Sequence, residues 1–162
     1  MSRTSIDASL LASNVPSSKI QGTATNDAAA SGYVGEYIAS TIVNGNAFGS
    51  TVWGDSTSLS LPAGDWDVTA SYNAESNGAG GWSNAELGIS PNSGNTSSGL
   101  TDGLNWHYES WNSGTRGNPG LCVANYRVSL STTTTIYMKM RMTYTTGTPR
   151  ITGGNIRARR TR

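Results

Sequence analysis

Acid–base or nucleophilic chemistry in this chain would have to be built from one histidine, one cysteine and ten carboxylates. His107 and Glu109 stand two residues apart. On a strand they project from the same face, whereas a nucleophilic triad needs a carboxylate behind the imidazole and a nucleophile in front of it. The pair therefore reads as a surface pair. Metal-bound water needs several protein ligands, and a lone histidine without a cysteine cluster supplies too few. Asp65 and Asp67 flank Trp66, with Asp55 a loop earlier. Alternation sends Asp65 and Asp67 to one polar face, where calcium is the ion that would suit them. A hard cation wants about six or more oxygens and a loop wrapped around it, so the competing reading is a solvated strand face. Asp65, Asp67, Glu75 and Glu109 are candidates for paired-carboxylate glycoside hydrolysis by residue type only, with no repeat pattern of a depolymerising β-helix around them. Cys122 lies in the series Cys122, Ala124, Tyr126, Val128, Leu130 and is expected on the apolar side of a strand, as a small core residue. No catalytic residue, metal ligand or cofactor site is assigned, and the chain reads as a non-enzyme.

Binding chemistry is better represented. Trp82, Trp106 and Trp111 lie in or beside Gly/Asn/Ser-rich stretches. Exposed, they could stack on the sugar rings of a glycan; buried, they would fill a core or a subunit interface. Arg150, Arg157, Arg159, Arg160 and Arg162 crowd the last thirteen residues. Either this is a solvated tail, or Arg157, Arg159 and Arg160 pair with carboxylates of a neighbouring subunit, for which a guanidinium fork is well suited. Nucleic acid is not an expected partner: net charge is +1, and no stacking platform accompanies the arginines.

The elements that would position these residues are strands. In Leu61–Tyr72 a Pro-Ala-Gly-Asp turn opens onto strict alternation, with Trp66, Val68, Ala70 and Tyr72 on one face and Asp67, Thr69 and Ser71 on the other. Thr134–Tyr144 alternates likewise, with Ile136, Met138, Met140, Met142 and Tyr144 opposite Tyr137, Lys139, Arg141 and Thr143. Further strands are expected over 33–43 (with a bulge at Gly35), 48–53, 57–61, 85–89, 106–111, 121–130 and 151–159, the last interrupted at Gly153-Gly154. Turn signals every ten residues or so make this an all-β, antiparallel β-sandwich, with a jelly-roll-like topology leading.

Three blocks carry a family resemblance: Asn26–Tyr37, the Leu61–Val68 frame L-x-A-G-x-W-D-V, and Ile156–Arg162. In this order they resemble jelly-roll-like domains of bacteriophage virion surface proteins, the head decorations (cement proteins) and head or tail fibres. The resemblance implies a structural protein of the virion that assembles as a homotrimer on the major capsid protein or another virion protein. A decoration role is favoured over a fibre because no heptads or repeats are present to make a shaft. The alternative is a fibre module that holds host receptor glycan through its tryptophan loops.

Composition fits these expectations. A length of 162 residues suits one core. Apolar residues make up 35% and charged residues 13%, but five Trp and seven Tyr argue against disorder. A core this thin would gain from oligomerisation. Residues 1–25 read as an extended N-terminal arm whose Ile6, Leu10, Leu11, Val15 and Ile20 are too few to fold alone and would anchor to a partner; residues 26–162 form the sandwich. No apolar run approaches a membrane span, and the N-terminus lacks the apolar stretch of a signal peptide, so the expected site is the virion, after synthesis in the host cytoplasm.

Overall fold

The structure, a computed structural model, describes residues 29–43, 45–46, 48–76, 78, 80–110 and 119–162. The expected arm, with Ile6, Leu10, Leu11, Val15 and Ile20, lies outside the described residues, as does Trp111.

Among the described residues nine strands follow one another: β1 (Tyr37–Ile42), β2 (Gly45–Asn46), β3 (Gly54–Leu61), β4 (Gly64–Glu75), β5 (Asn84–Ser90), β6 (Trp106–Ser110), β7 (Gly120–Leu130), β8 (Thr134–Thr143) and β9 (Arg150–Arg160). One sheet runs β1-β9-β4-β7, with β2 also paired to β9; the other runs β3-β8-β5-β6. Every pairing is antiparallel. Among the described strands from β2 onwards, only β5 and β6 are consecutive and paired, and every other step crosses between sheets. This wrapped order is the jelly roll expected from the sequence.

The alternation read from the sequence is what fills the sandwich. Trp66, Val68, Ala70 and Tyr72 of β4 face Ile136, Met138, Met140 and Met142 of β8 across the core, all of them buried. Apolar burial of this kind contributes roughly 1.5–3 kcal/mol per large side chain. Trp82, just before β5, joins the same core with no exposed surface, its Nε1 donating to Asn84 O at 3.0 Å.

Several local expectations change. Tyr33–Glu36 form turns rather than strand, and Gly35 takes φ +94° in the turn that delivers β1. Residues 48–53 are likewise turn and irregular chain. β9 continues through Gly153-Gly154 as strand, but its register against β4 slips beside them, where Asn73↔Gly153 is followed by Ala74↔Ile151 and Thr152 is the extra residue. There a side chain on Gly154 would press within 3.0 Å of Tyr72 Cβ, so the glycine allows close approach rather than ending the strand.

Cys122 is the clearest reversal. It is exposed, not buried. Between Val68↔Tyr126 and Ala70↔Val123 the β4–β7 register slips, so β7 carries an extra residue. This β-bulge switches the side of the strand that faces the core: Leu121 and Val123 point inward before it, Val128 after it. A single alternating series from 122 to 130 therefore does not exist.

The outer face of the second sheet is covered by the chain between β5 and β6. Lys139, expected on a polar face, has no exposed surface. Its Nζ donates to Asp55 Oδ1 (2.6 Å), Gly94 O (2.6 Å) and Asn92 O (3.0 Å). Asp55 Oδ2 in turn accepts from Ser93 Oγ and Gly94 N, both at 2.8 Å. The two sheets are also joined at both open edges, by Ser40 Oγ and Thr57 Oγ1 (2.5 Å) and by His107 Nδ1 donating to Cys122 O (2.8 Å).

Candidate functional site

The described parts of the three sequence blocks, far apart in the chain, meet at the first sheet, where β1, β9 and β4 are neighbours. Arg160 Nε donates to Glu36 Oε2 at 2.9 Å, its Nη1 donates to Ala63 O at 2.7 Å, and its guanidinium lies 4.4 Å over the Trp66 ring. Glu36 Oε2 also accepts from Gly32 N (2.8 Å), and Trp66 Nε1 donates to Pro62 O (3.0 Å). Gly64 is required here: at φ +141°, a Cβ would fall 1.9 Å from Arg160 Nη1. Hydrogen bonding from Gly32 and from Arg160 holds the Glu36 carboxyl below its ordinary pKa, against its burial. The glycines, glutamate, tryptophan and arginine of the blocks thus form one internal clasp.

This corrects the expectation for Arg160. Its side chain is buried and bonded within its own chain, so it is not free for a neighbour's carboxylate. Arg157 and Arg159 differ: both are exposed on the outer face of β9.

Trp82 is corrected as well, since a fully buried indole cannot stack on a glycan. Trp106, on β6, is half-buried and packs edge-on to Trp53 (6.2 Å) and Tyr108 (6.5 Å). Beneath this cluster Glu86 and Arg141 pair at 2.6 Å, and Arg141 also lies 5.0 Å over Trp53. Burial pushes the Glu86 carboxyl upward, against the pull of Arg141. The aromatic group packs over an ion pair whose carboxylate is buried, with Tyr108 its most exposed member.

The acid–base candidates are dispersed. His107 is spent on the seam to Cys122 O, and because a carbonyl only accepts, Nδ1 carries the proton. Asp65 and Asp67 do project from one face, as expected, but Asp65 already holds two guanidinium groups, Arg127 and Arg162, each at 3.1 Å. A hydrogen bond from Ser129 and the Arg127 charge keep its carboxyl below the ordinary value. Among the described residues no three His, Cys, Asp or Glu side chains are grouped to hold a metal, and no helix is long and apolar enough to cross a membrane.

An open groove of about 320 Å³ lies on the outer face of the first sheet, lined by Tyr37, Asp67, Thr69, Asn125, Arg157 and Arg159. Cross-strand register builds it: Tyr37 sits opposite Arg159, Arg159 opposite Asp67, and Arg157 opposite Thr69. Arg157 Nε donates to Thr69 Oγ1 (2.9 Å), and the Arg159 guanidinium lies 5.9 Å from the Tyr37 ring. Sequence reading singled out the two arginines but not Tyr37, Thr69 or Asn125. Their common face depends on which strands are neighbours, which only the topology supplies.

No family model and no curated protein sequence matches the chain. Solved structures do. The chain is similar to the infectious bursal disease virus VP2 subviral particle, at 10% identity and TM-score 0.43, covering 77% of this chain and 33% of that one. It is similar to the Gt strain of the same virus at 12% identity and TM-score 0.44, covering 76% and 33%. A third likeness is to the T13 particle of that virus, at 12% identity and TM-score 0.44, covering 76% and 31%. This chain spans about a third of the length of those chains.

Proposed function

We propose that this chain is a structural protein of a bacteriophage virion, a decoration protein that binds the assembled head and stabilises it as a trimer. The observation that carries this reading is the convergence of the three phage-like blocks into one clasp on a jelly-roll sandwich. Residues that make the resemblance are the residues that fasten β1, β4 and β9 together in this chain, which gives them a shared structural role. A jelly roll is a rigid, wedge-like block of the kind used in viral shells, although lectins and other proteins share it. A protein that binds only the assembled lattice stabilises that lattice by its binding free energy, and needs no chemistry of its own.

The fibre alternative is weakened on one point, because Trp82 is core and Trp106 is half-packed. The two roles separate by copy number in purified virions, measured by quantitative mass spectrometry against the major capsid protein. A ratio near one per capsid subunit supports decoration; a few per hundred would move the chain to a fibre or tail. Deleting residues 1–25 should leave a folded sandwich that no longer joins the particle, and an unfolded product would refute the anchoring role of Ile6, Leu10, Leu11, Val15 and Ile20.

A further inference from the structure

Eight arginine and lysine residues fall among the described residues, and six of them are in ion pairs: Arg127 and Arg162 with Asp65, Lys139 with Asp55, Arg141 with Glu86, Arg150 with Glu75 and Arg160 with Glu36. The two without a carboxylate are Arg157 and Arg159. They are two apart on β9, on one face, and line one groove. Where the other described cations are each matched to an acid, two unmatched guanidinium groups side by side on an outer face point to a ligand.

We propose that this groove is a binding subsite for a carboxylate-bearing sugar residue of a glycan, of the uronic or sialic acid kind. The ligand's negative charge is set by Arg157 and Arg159. Arg157 is already held by Thr69 through Nε, which leaves its two terminal nitrogens as an oriented fork for a carboxylate. The rest of the ligand is set by Asp67, Asn125 and Tyr37. Among the described residues Asp67 makes no ion pair, although Arg159 stands opposite it, and it offers acceptors to sugar hydroxyls where it would only repel a plain anion. Sugar hydroxyls donate to such a carboxylate, while an acidic peptide would place like charge against it. Asn125, exposed on the bulge of β7, adds an amide that both donates and accepts. Tyr37, 42% exposed, presents an aromatic face at the groove's end. The volume is at the small end of the range for ligand sites, about 300–1,000 Å³, which fits a terminal residue rather than a long chain. This inference goes beyond the virion reading and stands on the groove alone.

The test is titration of the full-length protein with sodium glucuronate, glucose and sodium acetate, followed by backbone amide NMR shifts and repeated with Arg157→Gln, Arg159→Gln and Asp67→Asn. All three side chains lie on the outer face, so the variants should melt like the parent. Glucuronate should bind about tenfold or more tighter than either glucose or acetate, with shifts confined to Tyr37, Asp67, Thr69, Asn125 and 157–159. Either arginine variant should bring glucuronate down to the glucose level. Asp67→Asn should shrink the advantage of glucuronate over acetate. Acetate binding as tightly as glucuronate would make the groove a general anion patch and overturn the proposal. So would glucose binding as tightly, shifts centred elsewhere, or no saturable binding of glucuronate. None of these outcomes bears on copy number in virions, so the two readings fail separately.

Discussion

Arg160 and Glu36, 124 residues apart in the chain, form a buried pair in which Nε donates to Oε2 at 2.9 Å while the guanidinium covers Trp66. The pair ties the last strand to the entry of the first, and the Trp66 strand lies against both the ring contact and the Ala63 carbonyl. Removing one partner strands the other in a low-dielectric site. Arg160→Ala is therefore expected to cost about 3–5 kcal/mol in urea unfolding. Arg160→Lys should recover only part of this, because an ammonium cannot serve Glu36 and Ala63 while lying flat on the indole. Full stability in Arg160→Lys would mean that charge alone matters.

Gly64 belongs to the same device. Gly64→Ala places a methyl group on the Arg160 guanidinium and an L-residue at φ +141°, so it should destabilise by displacing the arginine. Pairing the variant with Arg160→Ala separates the two effects. The loss should be smaller in the Arg160→Ala background than in the parent, and equal losses would show that backbone strain alone is responsible.

The class of the fold was legible because both long strands announce themselves: Trp66, Val68, Ala70 and Tyr72, and Ile136 through Met142, keep period two without interruption. What alternation could not supply was register. Cys122 was misplaced because a bulge resets the period inside β7, and Lys139 because a covering loop can bury a polar face. Arg160 looked like its neighbours Arg157 and Arg159, yet only Arg160 sits on the inward period of β9. The groove was half visible, as a pair of arginines, since Tyr37 and Asp67 join them only once β1 and β4 are known to flank β9.

Acid should weaken the fold through Glu36 and Asp55. Glu36 is held low by Gly32 and Arg160. For Asp55, burial pushes up, but Lys139, Gly94 and Ser93 outweigh it and leave the group below its usual value. A depressed folded pKa gives stability that is present above the unfolded values, 4.5 and 3.8, and is lost as pH falls through the folded ones. Glu86 has the opposite sign. Its raised pKa means that the unfolded chain ionises first, so its contribution declines as pH rises from 4.5 through the folded value. Urea unfolding across pH should show the acid loss diminished in Glu36→Gln. Relative to Glu86→Gln, the parent should lose stability as pH rises above 4.5, and parallel curves would contradict the assignment.

Lys139 holds the chain between β5 and β6 against the sheet, since two of its three acceptors are carbonyls of that segment. Asp55→Ala removes the carboxylate paired with a fully buried ammonium, and about 3–5 kcal/mol should be lost. The informative readout is hydrogen exchange. Residues 92–105 should exchange faster by more than the global loss predicts, while β4 and β8 slow-exchanging amides follow global unfolding. Uniform acceleration across the molecule would mean that the pair supports the sandwich as a whole and does not staple the loop.

Cys122 offers the most direct check of the bulge. With alternation unbroken from 122 to 130, its thiol would point into the core beside Val128 and react only when the protein opens. With the extra residue between Val123 and Tyr126, it lies on the outer face of β7, exposed. A thiol reagent should therefore modify folded protein at a rate close to that of the denatured chain, without loss of structure by circular dichroism. Protection that disappears only with unfolding would place Cys122 inside, and would mean that β7 runs in a single register against β4.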